Sequence, residues 1–237
     1  MVSIEKKREI VKNLQKIKLP EQRSPEWYKM RENMITASDF GSILGHSKYN
    51  SVKSVLKQKC GLGAKFRGNE YTRWGTKYEE VATEIYRIKY NTSVIEFGCL
   101  GHPKYSFLGA SPDGITPDGI MLEIKVPKTR KFKKNDIPPH YYDQMQGQLE
   151  VCGLFECDFL QCEIEEYSSR KAYLEDNEIE YKGSIMEYID ENNDLKFIYS
   201  KVNMNEKELD KWINGNKIKL NSRNLLCKNI CYWKLIR

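Results

Sequence analysis

The chain has 237 residues, with 39 Lys and Arg against 33 Asp and Glu and a net charge of +6. That length supports one compact domain with a substantial core, and the charge is too moderate to mark a nucleic-acid binder from composition alone. No apolar run approaches a membrane span and the N-terminus lacks a secretory signal pattern, which points away from a membrane-embedded or secreted protein. In chain order, residues 3–18 read as a basic helix with Ile4, Ile10, Val11, Leu14 and Ile17 near one face. Further helices are expected near 25–33, 37–45, 51–60 and 70–90; in the last of these Val81, Ile85 and Ile88 recur at helical spacing. Strands are expected near 93–100, 106–113 and 120–126, then a helix at 140–152 and a strand at 156–167. Residues 168–200 are charged and tyrosine-rich, with Asn192-Asn193 a turn between two short elements, and a helix at 205–217 has Asn205 as its cap. Strands followed by a helix and another strand imply an α/β fold with a central mixed sheet flanked by helices. The expected organisation is one domain over 1–237, with 168–237 an extension of undetermined role.

The densest chemistry lies in Ser111-Pro112-Asp113-Gly114 and Leu122-Glu123-Ile124-Lys125. Between them, Pro117-Asp118-Gly119 is a turn signal: Pro117 pre-sets φ and Gly119 can take a positive φ. The flanking apolar residues then form a hairpin. Residues i and i+2 share a strand face, so Glu123 and Lys125 point together while Ile124 points into a core. Asp113 is folded back beside that face. Two carboxylates and an ammonium at one place suit a hard divalent cation and a phosphodiester, although either half alone is more often a solvated face or a simple turn.

Upstream, Thr36 or Ser38 in Ile35-Thr36-Ala37-Ser38 is a good helix cap, and Arg31 lies close before it. A helix N-terminus with an adjacent arginine suits a phosphate group, while Trp27 reads equally well as core. Downstream, Lys128, Arg130, Lys131, Lys133 and Lys134 directly follow the Glu-x-Lys strand. Such a run could contact DNA backbone without sequence preference. The seven cysteines are odd in number and form no Cys-x-x-Cys pair, which points to reduced thiols in an intracellular, reducing compartment.

Four ordered segments together resemble the PD-(D/E)XK nucleases, and within them the lambda-exonuclease or YqaJ-type viral recombinase group. They are Arg23–Asp39 with its Trp, Arg and Ile-Thr-Ala-Ser; Trp74-Gly75-Thr76-Lys77-Tyr78-Glu79; the Ser-Pro-Asp-Gly hairpin; and Tyr141–Leu149. The resemblance covers roughly residues 23–165 and implies a restriction-endonuclease-like core. It implies that Asp113, Glu123 and Lys125 are catalytic, with Glu79 facing the metal and Gln144 beside the site, Gln148 being the less favoured choice. It further implies Mg²⁺, with Mn²⁺ as the alternative, as one or two ions on Asp113, Glu123, Glu79 and the backbone carbonyl of Ile124. Arg31 and Ser38 match the pair that grips a 5′-phosphate. The expected activity is 5′→3′ digestion of linear duplex DNA, leaving 3′ single strands for recombination or repair. A structure-specific endonuclease, or a non-catalytic DNA-binding protein, are the alternatives. Expected partners are double-stranded DNA ends, a single-strand annealing protein and copies of the chain in a trimer, with no membrane; a viral or phage origin is implied by the resemblance alone. Some related nucleases carry an iron–sulfur cluster, but Cys227 and Cys231 are too sparse for its cysteine triplet, so none is expected.

Overall fold

A computed structural model of the chain describes residues 2–22, 24–63, 68–132 and 136–237. The chain packs as two compact units, one of Met1–Asn69, Tyr86–Lys125 and Phe132–Leu160, the other of Glu70–Ile85, Val126–Lys131 and Gln161–Arg237. The α/β class with a mixed sheet and helices holds, and the described strands fall into three sheets.

In the first unit, α1 (Ile4–Gln15) starts at Ser3, whose hydroxyl accepts the Lys6 N–H. Helix α2 (Pro25–Glu32) starts at Ser24, which accepts from the Trp27 N–H at 3.2 Å, with Pro25 at the first helical position where no N–H is needed. The helix expected at 37–45 is split. A two-residue strand β1 (Ile35–Thr36) leads into a 3₁₀ turn (Ala37–Asp39) and then the short α3 (Phe40–Ile43). Asp39 causes the tight start, since its carboxylate takes both the N–H and the hydroxyl of Thr36 at 2.9 Å. Helix α4 (Val52–Lys59) follows behind a Ser51–Ser54 capping box.

The strands expected at 93–100 and 106–113 shrink to β2 (Leu100–Gly101) and β3 (Leu108–Ala110). Close packing explains part of the loss: a Cβ on Gly98 would meet the Pro20 carbonyl at 2.4 Å, so this stretch lies against the 19–20 segment instead of extending a ladder. The order is β1-β3-β2, with β1 parallel and β2 antiparallel to β3. A second sheet has the order β4-β5-β6, from β4 (Gly114–Ile115), β5 (Ile120–Lys125) and β6 (Glu156–Gln161). Helix α6 (Pro139–Cys152) ends at Gly153, whose φ of 66° supplies the left-handed cap. Ile115, Met121, Met145, Val151 and Leu154 join Val11 and Leu100 in one buried core.

Helix α5 (Glu70–Tyr90) contributes its first sixteen residues to the second unit, counted from Glu70 to Ile85. This unit also holds β7 (Ile164–Glu166), α7 (Arg170–Glu175), β8 (Lys182–Ile189), β9 (Leu195–Tyr199), α8 (Glu206–Asn221) and β10 (Cys227–Leu235). The sheet order is β7-β10-β8-β9, with each neighbouring pair antiparallel. The single strand expected at 156–167 is therefore two. At Glu163 the chain leaves β6's sheet and pairs with the C-terminus, its N–H donating to the Arg237 carbonyl at 2.8 Å. The turn at 192–193 holds, with Asn193 at φ 64° joining β8 to β9, and Asn205 caps α8 in a reciprocal pair with Glu208. Helix α8 runs four residues beyond the expected end at 217, because Leu220 is buried in a core with Tyr173, Met186 and Leu209.

Candidate active site on the hairpin

Hairpin β4–β5 has the expected construction, with Gly114 opposite Leu122 and Ile115 opposite Met121. Gly119 sits at φ 79°, and its N–H closes the turn on the Thr116 carbonyl at 2.9 Å. The fold-back of Asp113 is fixed by a hydrogen bond: the Ile124 N–H donates to Asp113 Oδ2 at 2.6 Å. Asp113 is thereby held beside the strand that carries Glu123 and Lys125. Ile124 is buried at 5% exposure, as the alternation requires, but Glu123 is buried too, at 0%.

A fully buried carboxylate must be compensated. Lys125 Nζ donates to Glu123 Oε1, and Gln148 Nε2 on α6 donates to Glu123 Oε2 at 2.8 Å. The Lys125 ammonium also lies 5.1 Å from the Tyr141 ring centroid. Burial alone would push the Lys125 pKa down; the Glu123 and Asp113 carboxylates outweigh it and hold the ammonium above the ordinary lysine range. The thiol of Cys157 on β6 is pushed up to about 12, by burial first and then by Glu123, and so stays protonated at neutral pH.

Gln148, one helical turn beyond Gln144, is the glutamine that touches Glu123. Gln144 is half-buried and, among the described residues, makes no hydrogen bond to Glu123. Gln148 also reaches the Ser111 carbonyl at 3.5 Å, while its Oε1 is buried with no hydrogen-bond partner among the described residues. Such an orphaned acceptor marks a place for a water or another bound donor.

Ser111, the first residue of the Ser-Pro-Asp-Gly motif, ties this hairpin to the upstream segment. Arg31 Nη1 donates to Ser111 Oγ at 3.0 Å, and Arg31 Nη2 reaches Thr36 Oγ1 at 3.3 Å and Ser38 Oγ at 3.2 Å. The guanidinium lies 4.4 Å from the centre of Trp27, which is 9% exposed and so both core residue and platform. Lys59 adds a second cation, donating to the Arg31 carbonyl at 3.1 Å and pairing with Asp39 at 3.0 Å. Among the described residues Arg31 meets hydroxyls and an aromatic ring but no carboxylate. Its charge is therefore left for an anion. Sequence reasoning singled out Arg31 and Ser38 and missed Ser111 and Lys59. Ser111 stood inside the motif already recognised, whereas nothing local to Lys59 signals its contact with the Arg31 carbonyl.

Of the remaining expected residues, Glu79, Lys128, Arg130 and Lys131 belong to the second unit. Glu79 is half-buried on α5, its carbonyl accepting from the Thr83 hydroxyl at 3.0 Å. Lys128 pairs with Glu70 at 2.8 Å, and Arg130 donates to Gln161 Oε1 at 2.9 Å; Lys131 is exposed. Lys133 and Lys134 lie outside the described residues.

Asp113, Glu123 and the Ile124 carbonyl are hard oxygen donors of the kind Mg²⁺ takes, and Mg²⁺ is commonly held by one or two carboxylates with water and substrate phosphate. Together with the orphaned Gln148 oxygen, this donor set fits such an ion. Among the described residues no group of three or more His, Cys, Asp or Glu is gathered for a metal, and no helix is long and apolar enough to cross a membrane.

Comparison with known proteins places these features in a family. Over 94% of its length the chain is 33% identical to the uncharacterized protein R354 of Acanthamoeba polyphaga mimivirus, covering 48% of that protein. Over 56% of its length it is 28% identical to protein D345L of African swine fever virus (strain Badajoz 1971 Vero-adapted), covering 46% of it. The chain thus spans about half the length of the curated relatives it matches. Its fold is similar to that of the alkaline exonuclease LHK-Exo from Laribacter hongkongensis, with a TM-score of 0.51 at 20% identity, over 85% of this chain and 96% of that one. A structure of LHK-Exo in complex with dAMP gives the same TM-score at 24% identity, over 81% of this chain and 88% of that one. Residues 26–154, more than half of the chain, match the YqaJ-like viral recombinase domain, and the chain belongs to that family.

Proposed function

We propose that the chain is a divalent-metal-dependent deoxyribonuclease that digests linear duplex DNA from a 5′-phosphorylated end, 5′→3′, leaving 3′ single strands for recombination or repair. One observation carries the reading: a fully buried Glu123 held between Lys125 and Gln148, with Asp113 pinned beside it by the Ile124 N–H. Purely structural use of such an arrangement is costly, because burying a carboxylate costs several kcal/mol before pairing repays it.

Asp113, Glu123 and the Ile124 carbonyl would hold Mg²⁺ or Mn²⁺, with Glu79 assigned to a second ion from the family resemblance. When bound, the ion supplies Lewis acidity and offsets charge on the phosphoryl group. Lys125, held as an ammonium by the Glu123 and Asp113 carboxylates, would orient the attacking water and stabilise negative charge as it builds. Gln148 fixes the orientation of Glu123. Arg31, Ser38 and Ser111 hold the terminal phosphate, which directs the hairpin to DNA ends. Lys128, Arg130 and Lys131 contribute backbone contacts that weaken with salt. Both units serve one nuclease domain in this reading, and the viral relatives support an origin in a virus.

The test compares linear duplex bearing 5′-phosphate, linear duplex bearing 5′-hydroxyl, and closed circles, each with and without Mg²⁺. Metal-dependent release of nucleotides from the 5′-phosphorylated ends, with circles intact, is the expected result. Cleavage of circles would transfer the site to an endonuclease.

A further inference from the structure

The second unit contains a cleft that the hairpin chemistry does not use. It has a volume of about 180 Å³ and is walled by Arg73 and Trp74 of α5, Glu187 of β8, and Leu195 and Phe197 of β9. Whole-ligand pockets run to roughly 300–1,000 Å³, so this one admits a single ring system and little more. Its aromatic walls are held in place from behind. Trp74 packs on Tyr78 with ring centroids 4.5 Å apart, and Tyr78 is fully buried with its hydroxyl on Glu166 at 2.6 Å. Phe197 stands directly across the ladder from Glu187, and Glu187 is fixed by Lys77 at 2.7 Å, which pairs equally with Glu166.

Three cations meet three carboxylates around the cleft: Lys128 pairs with Glu70, and Lys77 with both Glu187 and Glu166, while the exposed Arg73 makes no ion pair among the described residues and is the cation open to a phosphate. Lys128 lies 5.9 Å from the centre of the Trp74 ring. The basic segment noticed in the sequence thus sits, through Lys128, on the aromatic wall of this cleft. Basic residues interleaved with aromatic faces are the pattern of single-strand binding, where bases stack on the rings and phosphates meet the cations.

We infer that this cleft is a subsite for one unpaired nucleobase of a single DNA strand, stacked on Trp74 and Phe197, with its phosphates on Arg73 and Lys128. The inference takes the single-stranded product of the proposed nuclease as ligand and rests on that reading for the source of the strand, though not for the binding itself.

Binding of a fluorescent oligothymidylate to the wild-type chain in EDTA, read by anisotropy, tests it without catalysis. Trp74→Ala and Phe197→Ala should each weaken binding about tenfold, Trp74→Phe should restore most of it, and a matched blunt duplex should respond less to all three. A second arm avoids variants that fail to fold: an oligonucleotide carrying 5-iododeoxyuridine, photo-crosslinked to the wild-type chain, should label the peptides containing Trp74 or Phe197. Crosslinks confined to other peptides, or alanine variants that bind as wild type does, would overturn the subsite. Metal-dependent digestion is measured separately, so a chain that digests DNA but shows neither effect refutes the subsite alone. One that shows both effects without digesting DNA refutes the nuclease alone.

Discussion

Replacing Gln148 by Met keeps the length and most of the volume of the side chain while removing its amide, and two opposing terms follow. The lost bond from Nε2 to the ionised, fully buried Glu123 is worth about 1.5–3 kcal/mol. The same change deletes the buried Oε1, which has no partner among the described residues and costs about 1–3 kcal/mol as it stands. The first term is the larger, because Glu123 Oε2 is left buried without its donor, so folding stability should fall by about 1–3 kcal/mol. Function should not be spared, because a residue that orients a metal-holding carboxylate typically contributes about 10–100-fold in metal affinity or activity. Urea unfolding and a Mg²⁺ titration of digestion rate, run on the same preparation, separate the two. A lowered unfolding midpoint in a chain still folded under assay conditions is expected, together with a Mg²⁺ requirement raised at least about tenfold. An unchanged Mg²⁺ titration would refute the role given to Gln148.

Arg31→Lys keeps the charge but cannot reproduce the fork to Ser111, Thr36 and Ser38 or the stacking on Trp27; it should lower kcat/KM on 5′-phosphorylated ends by about 10–100-fold and barely affect 5′-hydroxyl ends. Equal loss on both ends would show that Arg31 does not read the phosphate. Glu166 is raised by burial but lowered more by the hydrogen bonds from Lys77 and Tyr78, so its folded pKa is depressed. Its contribution is therefore present above the unfolded carboxylate value of about 4.3 and is lost as pH falls through the folded one. Glu166→Gln should destabilise the protein by about 1 kcal/mol at neutral pH, a difference that closes in strong acid; a pH-independent difference in urea unfolding would contradict this. Gly41→Ala would bring a Cβ within 2.5 Å of His140 Cβ and 2.8 Å of its Cα, pushing α3 off the start of α6. It should cost about 1–3 kcal/mol despite the better helix propensity of Ala, and an unchanged denaturation midpoint would disprove that packing.

The hairpin was legible in the sequence because its signals are local. Pro117 and Gly119 specify the turn, alternation specifies the faces, and the residues needed to place Asp113 beside Glu123 lie within one short segment. Gln148 was harder, since Gln144 and Gln148 lie one turn apart on the same helix face and only the depth of α6 against β5 decides which reaches Glu123. The burial of Glu123 was not legible at all, because a Glu-x-Lys strand looks identical whether its face is wet or sealed. Strand β10 was missed, and β8 and β9 were read only as two short elements of no stated type, for a different reason. They are stabilised by antiparallel partners as far apart in sequence as Ser184 and Tyr232, and their half-buried, charge-interrupted patterns lack clean alternation. The break at Glu163 likewise depends on the C-terminal strand, which no local pattern reveals.

In the proposed function the Asp113–Glu123–Lys125 arrangement is a metal-dependent nuclease centre. Digestion of end-labelled, 5′-phosphorylated duplex by wild type and Asp113→Ala, with Mg²⁺ and with EDTA, tests it most directly. Nucleotide release is expected from wild type with Mg²⁺ and under none of the other three conditions, with Asp113→Ala still folded by circular dichroism. Full activity in Asp113→Ala, or in wild type without divalent metal, would contradict it.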